Sequence, residues 1–278
     1  MNARRSVVLV ALAASLGGCL PFRGDRSARD LIQSYSPFAA SPAKDKAVLR
    51  TVLLDQPTGD PYLTTHLWAT TLKPLPPETA ALLAENGVRV GVFPSNPPAE
   101  LLERIEAGEA TVRPNETTAG LGEGKVLPIN GPVPTAAFRS FADIGAEPTA
   151  FELANAQMGF HVTAAAGENG KLKLTFEPRA QHGERQGWLR PTIDGTGFAW
   201  LDQKEMDKFP KLAFEVAVTP GEFLVVGPTE RPAGKLGGAW FVADANDGSR
   251  MRVLVVRAWR GANAPTPPVP GRKLAARK

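Results

Sequence analysis

The sequence predicts an α+β protein, mainly antiparallel β: a small N-terminal α/β unit followed by a β-hairpin-rich sheet or sandwich. Three observations lead there. Apolar residues alternate at period two through most of residues 150–260, with Asn-Gly and Pro-Gly turns between the runs. The two clear helical patterns are short and fall before residue 110. The 278 residues include 26 prolines and 27 glycines, which favours turns over long helices. At 43% hydrophobic and 22% charged residues, the chain can bury a core.

The α/β unit is read over residues 47–125. The apolar run "VLRTVLL" (48–54) predicts a strand, and "DQPTGDP" a turn-rich link. "YLTTHLWATTL" (62–72), rich in β-branched and aromatic residues, predicts a second strand. "PPETAALLAENG" begins on prolines, continues in Ala and Leu, and stops at Asn86-Gly87, the pattern of a helix. "VRVGVF" places Val88, Val90 and Val92 on one face of a strand. "NPPAELLERIEAG" predicts a second helix, capped by Asn96, started by Pro97 and ended by Gly108, with Leu101, Leu102 and Ile105 as its apolar stripe. Residues 111–150, rich in Pro, Gly, Thr and Ala, read as a link between the halves. Within them "AGLGEGKV" fails as a phosphate loop. Ala119 stands where the first glycine is needed and Val126 where a Ser or Thr would meet the metal, so it reads as a glycine turn.

The β-rich domain is read over residues 126–260. "MGFHVTAA" sets Met158, Phe160 and Val162 on one face, and "KLKLTFEP" does the same for Leu172, Leu174 and Phe176 across an Asn-Gly turn, predicting a hairpin. "KLAFEVAV" groups Leu212, Phe214, Val216 and Val218; "TPGE" turns, and "FLVVG" returns as a second hairpin. "AWFVA" and "MRVLVVRAW" around "DANDGSR" read as a third. Residues 261–278 read as a disordered Pro-rich basic tail, whose Arg272, Lys273, Arg277 and Lys278 could touch anionic lipid or wall polymer but read more plainly as a solubilising end.

The N-terminus carries the clearest functional signal. Met1–Arg5 are a short basic region, and Ser6–Gly18 are 13 mostly apolar or small residues. That is the layout of a signal peptide over residues 1–18, too short for the roughly 20 residues that span a bilayer. Leu16, Gly17 and Gly18 precede Cys19, the chain's only cysteine, so no disulfide within the chain is available. This run resembles the lipobox of bacterial lipoproteins. The resemblance implies a lipid on the Cys19 thiol and cleavage before it, leaving residues 19–46 as a flexible tether. Two or more acyl chains hold a protein stably, at about 0.8 kcal/mol per buried CH2. The expected location is the extracytoplasmic face of a membrane in the cell envelope.

The remaining chemistry is sparse. The formal charge of +4 falls to 30 basic against 28 acidic residues without Arg4 and Arg5, and the basic residues are scattered, which argues against nucleic acid. His66, His161 and His182 lie far apart and no second cysteine helps, so neither a metal site nor a cofactor is expected. His161 is placed on the solvent side of its strand. "QHGERQGW" reads as a polar loop holding His182, Glu184 and Trp188, where His182 could act as a general base oriented by Glu184 or Asp194. The plainer reading is a solvated loop, and no catalytic residue is assigned. Trp188 and Trp200, flanking a turn, are the tryptophans expected to be exposed.

In order, "GKLKLTFEPRAQHG", "LAFEVAVTPGEFLVVG", "LGGAWF" and "RVLVVRA" resemble the secretin domain of bacterial outer-membrane channels, over residues 158–258. "LGGAWF" lacks the Val-Pro and Ile-Pro elements of that family's motif, so the resemblance implies a secretin-like β domain without a channel. The function expected is a lipid-anchored envelope protein with a binding or assembly role, contacting the membrane through its lipid and an envelope protein or polysaccharide through its domain. The alternatives are an envelope hydrolase using two distant carboxylates and a carbohydrate-binding module using exposed tryptophans.

Overall fold

Strands with one buried face alternate apolar and polar residues, and in a computed structural model these runs form two antiparallel sheets. The structure describes residues 45–261 apart from 96, 107–109, 192–196 and 246–247. The first sheet holds β1 (Lys46–Pro57), β2 (Val88–Phe93), β3 (Ala110–Gly120), β10 (Phe223–Pro228), β11 (Val242–Ala245) and β12 (Gly248–Arg260). Its order is β2-β10-β12-β1-β3, with β11 also on β12. The second sheet holds β4 (Gly124–Pro128), β5 (Val133–Ser140), β6 (Thr149–Ala166), β7 (Leu172–Pro191), β8 (Phe198–Lys208) and β9 (Phe214–Val218). Its order is β4-β6-β7-β8, with β5 also on β6 and β9 also on β7. A π-helical turn, Tyr62–His66, runs into the short helix α1, Leu67–Ala69; the other helices are α2 (Pro77–Glu85), α3 (Ala99–Glu106) and α4 (Leu236–Phe241).

The pleat decides which side of the first sheet each residue serves. Leu49, Leu53, Leu224, Val226, Leu254 and Val256 face the second sheet, whose Phe160, Phe176, Phe214 and Val216 meet them in one buried cluster with Trp240. Phe160 sits edge-on to Trp240 at 5.2 Å, and Phe176 stacks on Phe214 at 5.0 Å. Val52, Leu54, Val225, Val253 and Val255 face the other way and are covered by Tyr62, Leu63, Leu67 and Leu101 from the helical segments. The result is three layers, helices on sheet on sheet. The fold class is α+β and mainly antiparallel β, as the sequence predicts.

Several expected elements hold with small changes. β1, β2, α2 and α3 lie where the patterns put them, and Gly87 ends α2 with a positive φ of 80°. The Asn96 cap and Gly108 stop fall outside the described residues. β6 and β7 form the first expected hairpin, in register from Gln157–Gln181 to Ala166–Leu172. The expected boundary near residue 125 falls inside β4, and strands from both sides of it build the first sheet.

Other expectations are overturned. Residues 62–69 are helical, because Asp60 caps the turn: its Oδ1 accepts from the Tyr62 and Leu63 amides at 2.8 and 3.3 Å, with Pro61 behind it. Local capping outweighs the β-branched composition of "YLTTH". Residues 111–150 are not a link but contain most of β3, all of β4 and β5, and the start of β6. The glycine turn at 120–124 is present, with Gly122 at φ 83°, and carries the chain from the first sheet to the second. β9 and β10 are not a hairpin, since β9 pairs with β7 and β10 with β2 and β12. The patterns foretell that difference: β9 alternates buried and exposed residues, whereas β10 is buried throughout, as a central strand covered on both faces must be. In the third pair, "LGGAWF" is α4 and only the short β11 pairs back onto β12.

The Tyr62 hydroxyl is buried with no hydrogen-bond partner among the described residues, and burial pushes its pKa up to about 12. The Arg104 guanidinium lies 4.6 Å over its ring. Tyr62→Phe keeps ring and cation and removes the orphaned group. Its stability, read as a urea midpoint, is expected to be unchanged or up to about 1 kcal/mol higher. Because the folded pKa exceeds the ordinary 10, Tyr62 supports the fold fully below pH 10, and that support falls away as pH rises toward about 12. The phenylalanine variant should lack this loss.

Candidate functional site

β7 is 20 residues long, and beyond Gln181 its only ladder partner among the described residues is β8. From His182 onward the two strands form a two-stranded arm. The register shifts between His182 and Gln186, where three residues of β7 (Gly183, Glu184 and Arg185) oppose one of β8 (Lys204), and Gly183 takes φ 73°. "QHGERQGW" is therefore a bulged strand rather than a polar loop. A continuous ladder would have needed alternation here, which the short polar and glycine residues break.

The bulge sets His182 against β8. Its Nε2 lies 3.2 Å from Asp207 Oδ2 and its Nδ1 3.8 Å from Glu205 Oε2. The imidazole is mostly covered, at 16% exposure, while both carboxylates reach solvent. These are not the carboxylates expected from sequence. Glu184 is exposed on the bulge, and the pair to His182 comes from β8 because strand register, not proximity along the chain, sets the neighbours. Asp194, the Trp188 side chain and the Trp200 side chain lie outside the described residues, as do Leu16, Gly17, Gly18 and Cys19. These contacts fasten the base of the arm.

Apolar residues gather on one face. Along β8, Phe198 and Met206 share a side by the pleat, and Leu189 joins them because it opposes residue 200 in the register. Phe198 is 70% exposed and Leu189 62%. At the foot of the arm, Val126 and Met206 are also exposed and line a groove of about 260 Å3 with Pro128, Gln157, Arg179 and Gln181. Gly159 keeps this region tight: a Cβ there would sit 2.5 Å from the Leu127 carbonyl oxygen. Arg179 pairs with Glu177 beside it. Leu189 and Phe198 far out on the arm, and Val126 and Met206 at its foot, lie on the same side of the sheet with Lys204 between them, and among the described residues the outer edge of β8 has no ladder partner. Sequence reasoning missed Val126, Leu189, Phe198 and Met206. The available signal was an isolated large apolar residue in otherwise polar strands, as in "DQKEMDK".

The other titratable candidates serve the fold. His161 lies on the face opposite Phe160 as expected, yet it is half-buried over Gly124, where a Cβ would meet its Nε2 at 1.9 Å. Burial and the nearby Arg179 charge hold its pKa below the ordinary value. Trp240 and Trp259 are buried, and Trp68 packs under the Arg89 guanidinium at 4.2 Å. Among the described residues no three His, Cys, Asp or Glu side chains are grouped to hold a metal ion.

No protein-family profile matches this chain, and neither a curated protein nor a solved structure matches it.

Proposed function

We propose that this is a lipid-anchored protein of the bacterial cell envelope, held by Cys19, that binds an envelope protein through the β7–β8 arm in an assembly role. The observation that carries the reading is the arm itself. It leaves the body of the sheet, places Leu189 and Phe198 in solvent on one face, and keeps the β8 edge open. An exposed edge strand with large apolar side chains is an aggregation hazard unless a partner covers it. A partner strand added to β8 would gain backbone hydrogen bonds, with Phe198 and the groove selecting its side chains. The reading takes no channel, because side chains fill the space between the sheets. Among the described residues no helix is long and apolar enough to cross a membrane, and the anchor is assigned to the lipid.

The test is a pull-down from detergent-solubilised envelopes with the wild-type chain and a Leu189→Asp/Phe198→Asp double variant. Both substitutions sit on exposed positions, so folding stability should stay within about 0.5 kcal/mol of wild type. A defined protein retained by the wild type and lost by the double variant supports the reading. Equal retention by both chains rejects the arm as the binding element.

A further inference from the structure

On the helix-covered side of the first sheet, β1 and β12 bring two arginines face to face. Arg50 is the direct cross-strand partner of Arg257, and the next inward pair on that face is Val52 with Val255. Like charges directly opposite on a sheet repel. Among the described residues neither arginine makes an ion pair, although Glu116 stands opposite Arg50 in the β3 register and Glu106 lies at the rim, both exposed. Arg257 is held in place by an apolar contact: its guanidinium carbon sits 4.6 Å over the ring of the buried Phe223. Its Nε is buried with no acceptor among the described residues. Burial, and then the charge of Arg50, lower its pKa.

Beside this pair is a cavity of about 160 Å3 between α3 and the sheet, floored by Val52, Phe223 and Val255 and walled by Leu102 and Ile105. An apolar cavity of roughly 150 Å3 accepts a benzene ring. The site thus combines two unneutralised guanidiniums, one orphaned buried donor and an apolar chamber the size of one ring. A carboxylate is the acceptor that matches paired guanidinium donors. The exposed Glu106 carboxylate at the rim disfavours a second negative charge.

We infer that this cavity binds a small amphipathic carboxylate, its head between Arg50 and Arg257 and its body, one aromatic ring or a short acyl chain, on Val52, Phe223 and Val255. Bound there, the carboxylate relieves the repulsion across the β1–β12 ladder and gives Arg257 its missing acceptor. The site is separate from the β7–β8 arm and does not rest on the assembly reading.

The test is calorimetric titration of the full chain in detergent with phenylacetate, with acetate as the head alone and benzyl alcohol as the neutral body. Phenylacetate should bind and raise the melting temperature, while the two fragments should bind at least tenfold more weakly. Arg257→Met should lose at least tenfold in phenylacetate affinity and, without ligand, melt no lower than wild type, since a like-charge contact is gone. Arg50→Gln, at an exposed position, should fold normally and also weaken binding, which keeps the test valid if Arg257→Met is poorly folded. The inference is overturned if millimolar phenylacetate gives no heat, if benzyl alcohol or acetate binds as well, or if both variants bind like wild type.

Discussion

Asp55→Ala is expected to remove about 3–5 kcal/mol of folding stability, the range for breaking a buried ion pair from one side. The carboxylate is 1% exposed in the layer between the sheets and is gripped by two arginines of β12. Arg250 Nε reaches Oδ1 at 2.8 Å, and Arg252 Nε reaches Oδ2 at 3.2 Å. Arg250 also donates to the Asp55 carbonyl at 2.9 Å, and Arg252 extends toward the Ile129 carbonyl in the turn after β4. The group therefore ties β1 to β12 and the first sheet to the second. Alanine takes from the partly buried Arg250 and Arg252 the carboxylate that both of them grip. A urea midpoint that falls at unchanged slope would report the loss, and a change below about 1 kcal/mol would mean that water reaches the arginines in the folded state.

Asn86→Ala is expected to cost about 2–4 kcal/mol, because one fully buried side chain makes four hydrogen bonds. Its Nδ2 donates to the carbonyls of Leu82 and Phe141, at 3.0 and 2.9 Å. Its Oδ1 accepts from the Ser140 hydroxyl and the Phe141 amide, at 3.1 and 2.8 Å. The Asn86 carbonyl also receives the Gly237 amide at 2.8 Å, and a Cβ on Gly237 would lie 2.1 Å from the Gly87 oxygen. This asparagine thus stops α2, anchors the end of β5 and seats α4. Alanine orphans the Phe141 amide and carbonyl and frees the turn after β5. Thermal unfolding compared with Ser140→Ala, which removes only one of the four bonds, should show the larger loss in Asn86→Ala.

These two anchors mark where reading the sequence stops. Val88, Val90 and Val92, or Leu172, Leu174 and Phe176, declare a strand because burial of one face imposes period two on neighbours along the chain. Asn86 was legible as a helix stop, from its Asn-Gly pair, but not as a hub, since Ser140 and Phe141 lie more than 50 residues away. Asp55 and its arginines are about 195 residues apart. The hint was a charge inside an apolar run, "VLLDQ", which says that a partner exists without naming it. The same holds for Arg50 with Arg257, and for His182 with Glu205: register across a ladder set those pairs. The helix at Tyr62–Ala69 was misread for a different reason. Its Asp-Pro start is present in the sequence, but the β-branched composition that follows points to a strand. The β9–β10 hairpin was misread because a Pro-Gly turn fixes a reversal of direction and not which sheet receives the returning strand.

The β7–β8 arm is proposed to dock an envelope protein. The most direct test of that docking is photo-crosslinking in living cells, with a photoreactive residue at position 198 of the full-length chain and, as a control, at the exposed position 152 on β6. One discrete protein adduct is expected from position 198, absent from position 152 and lost when Leu189→Asp is added. An unadducted chain at position 198, or the same adducts from both positions, would contradict it.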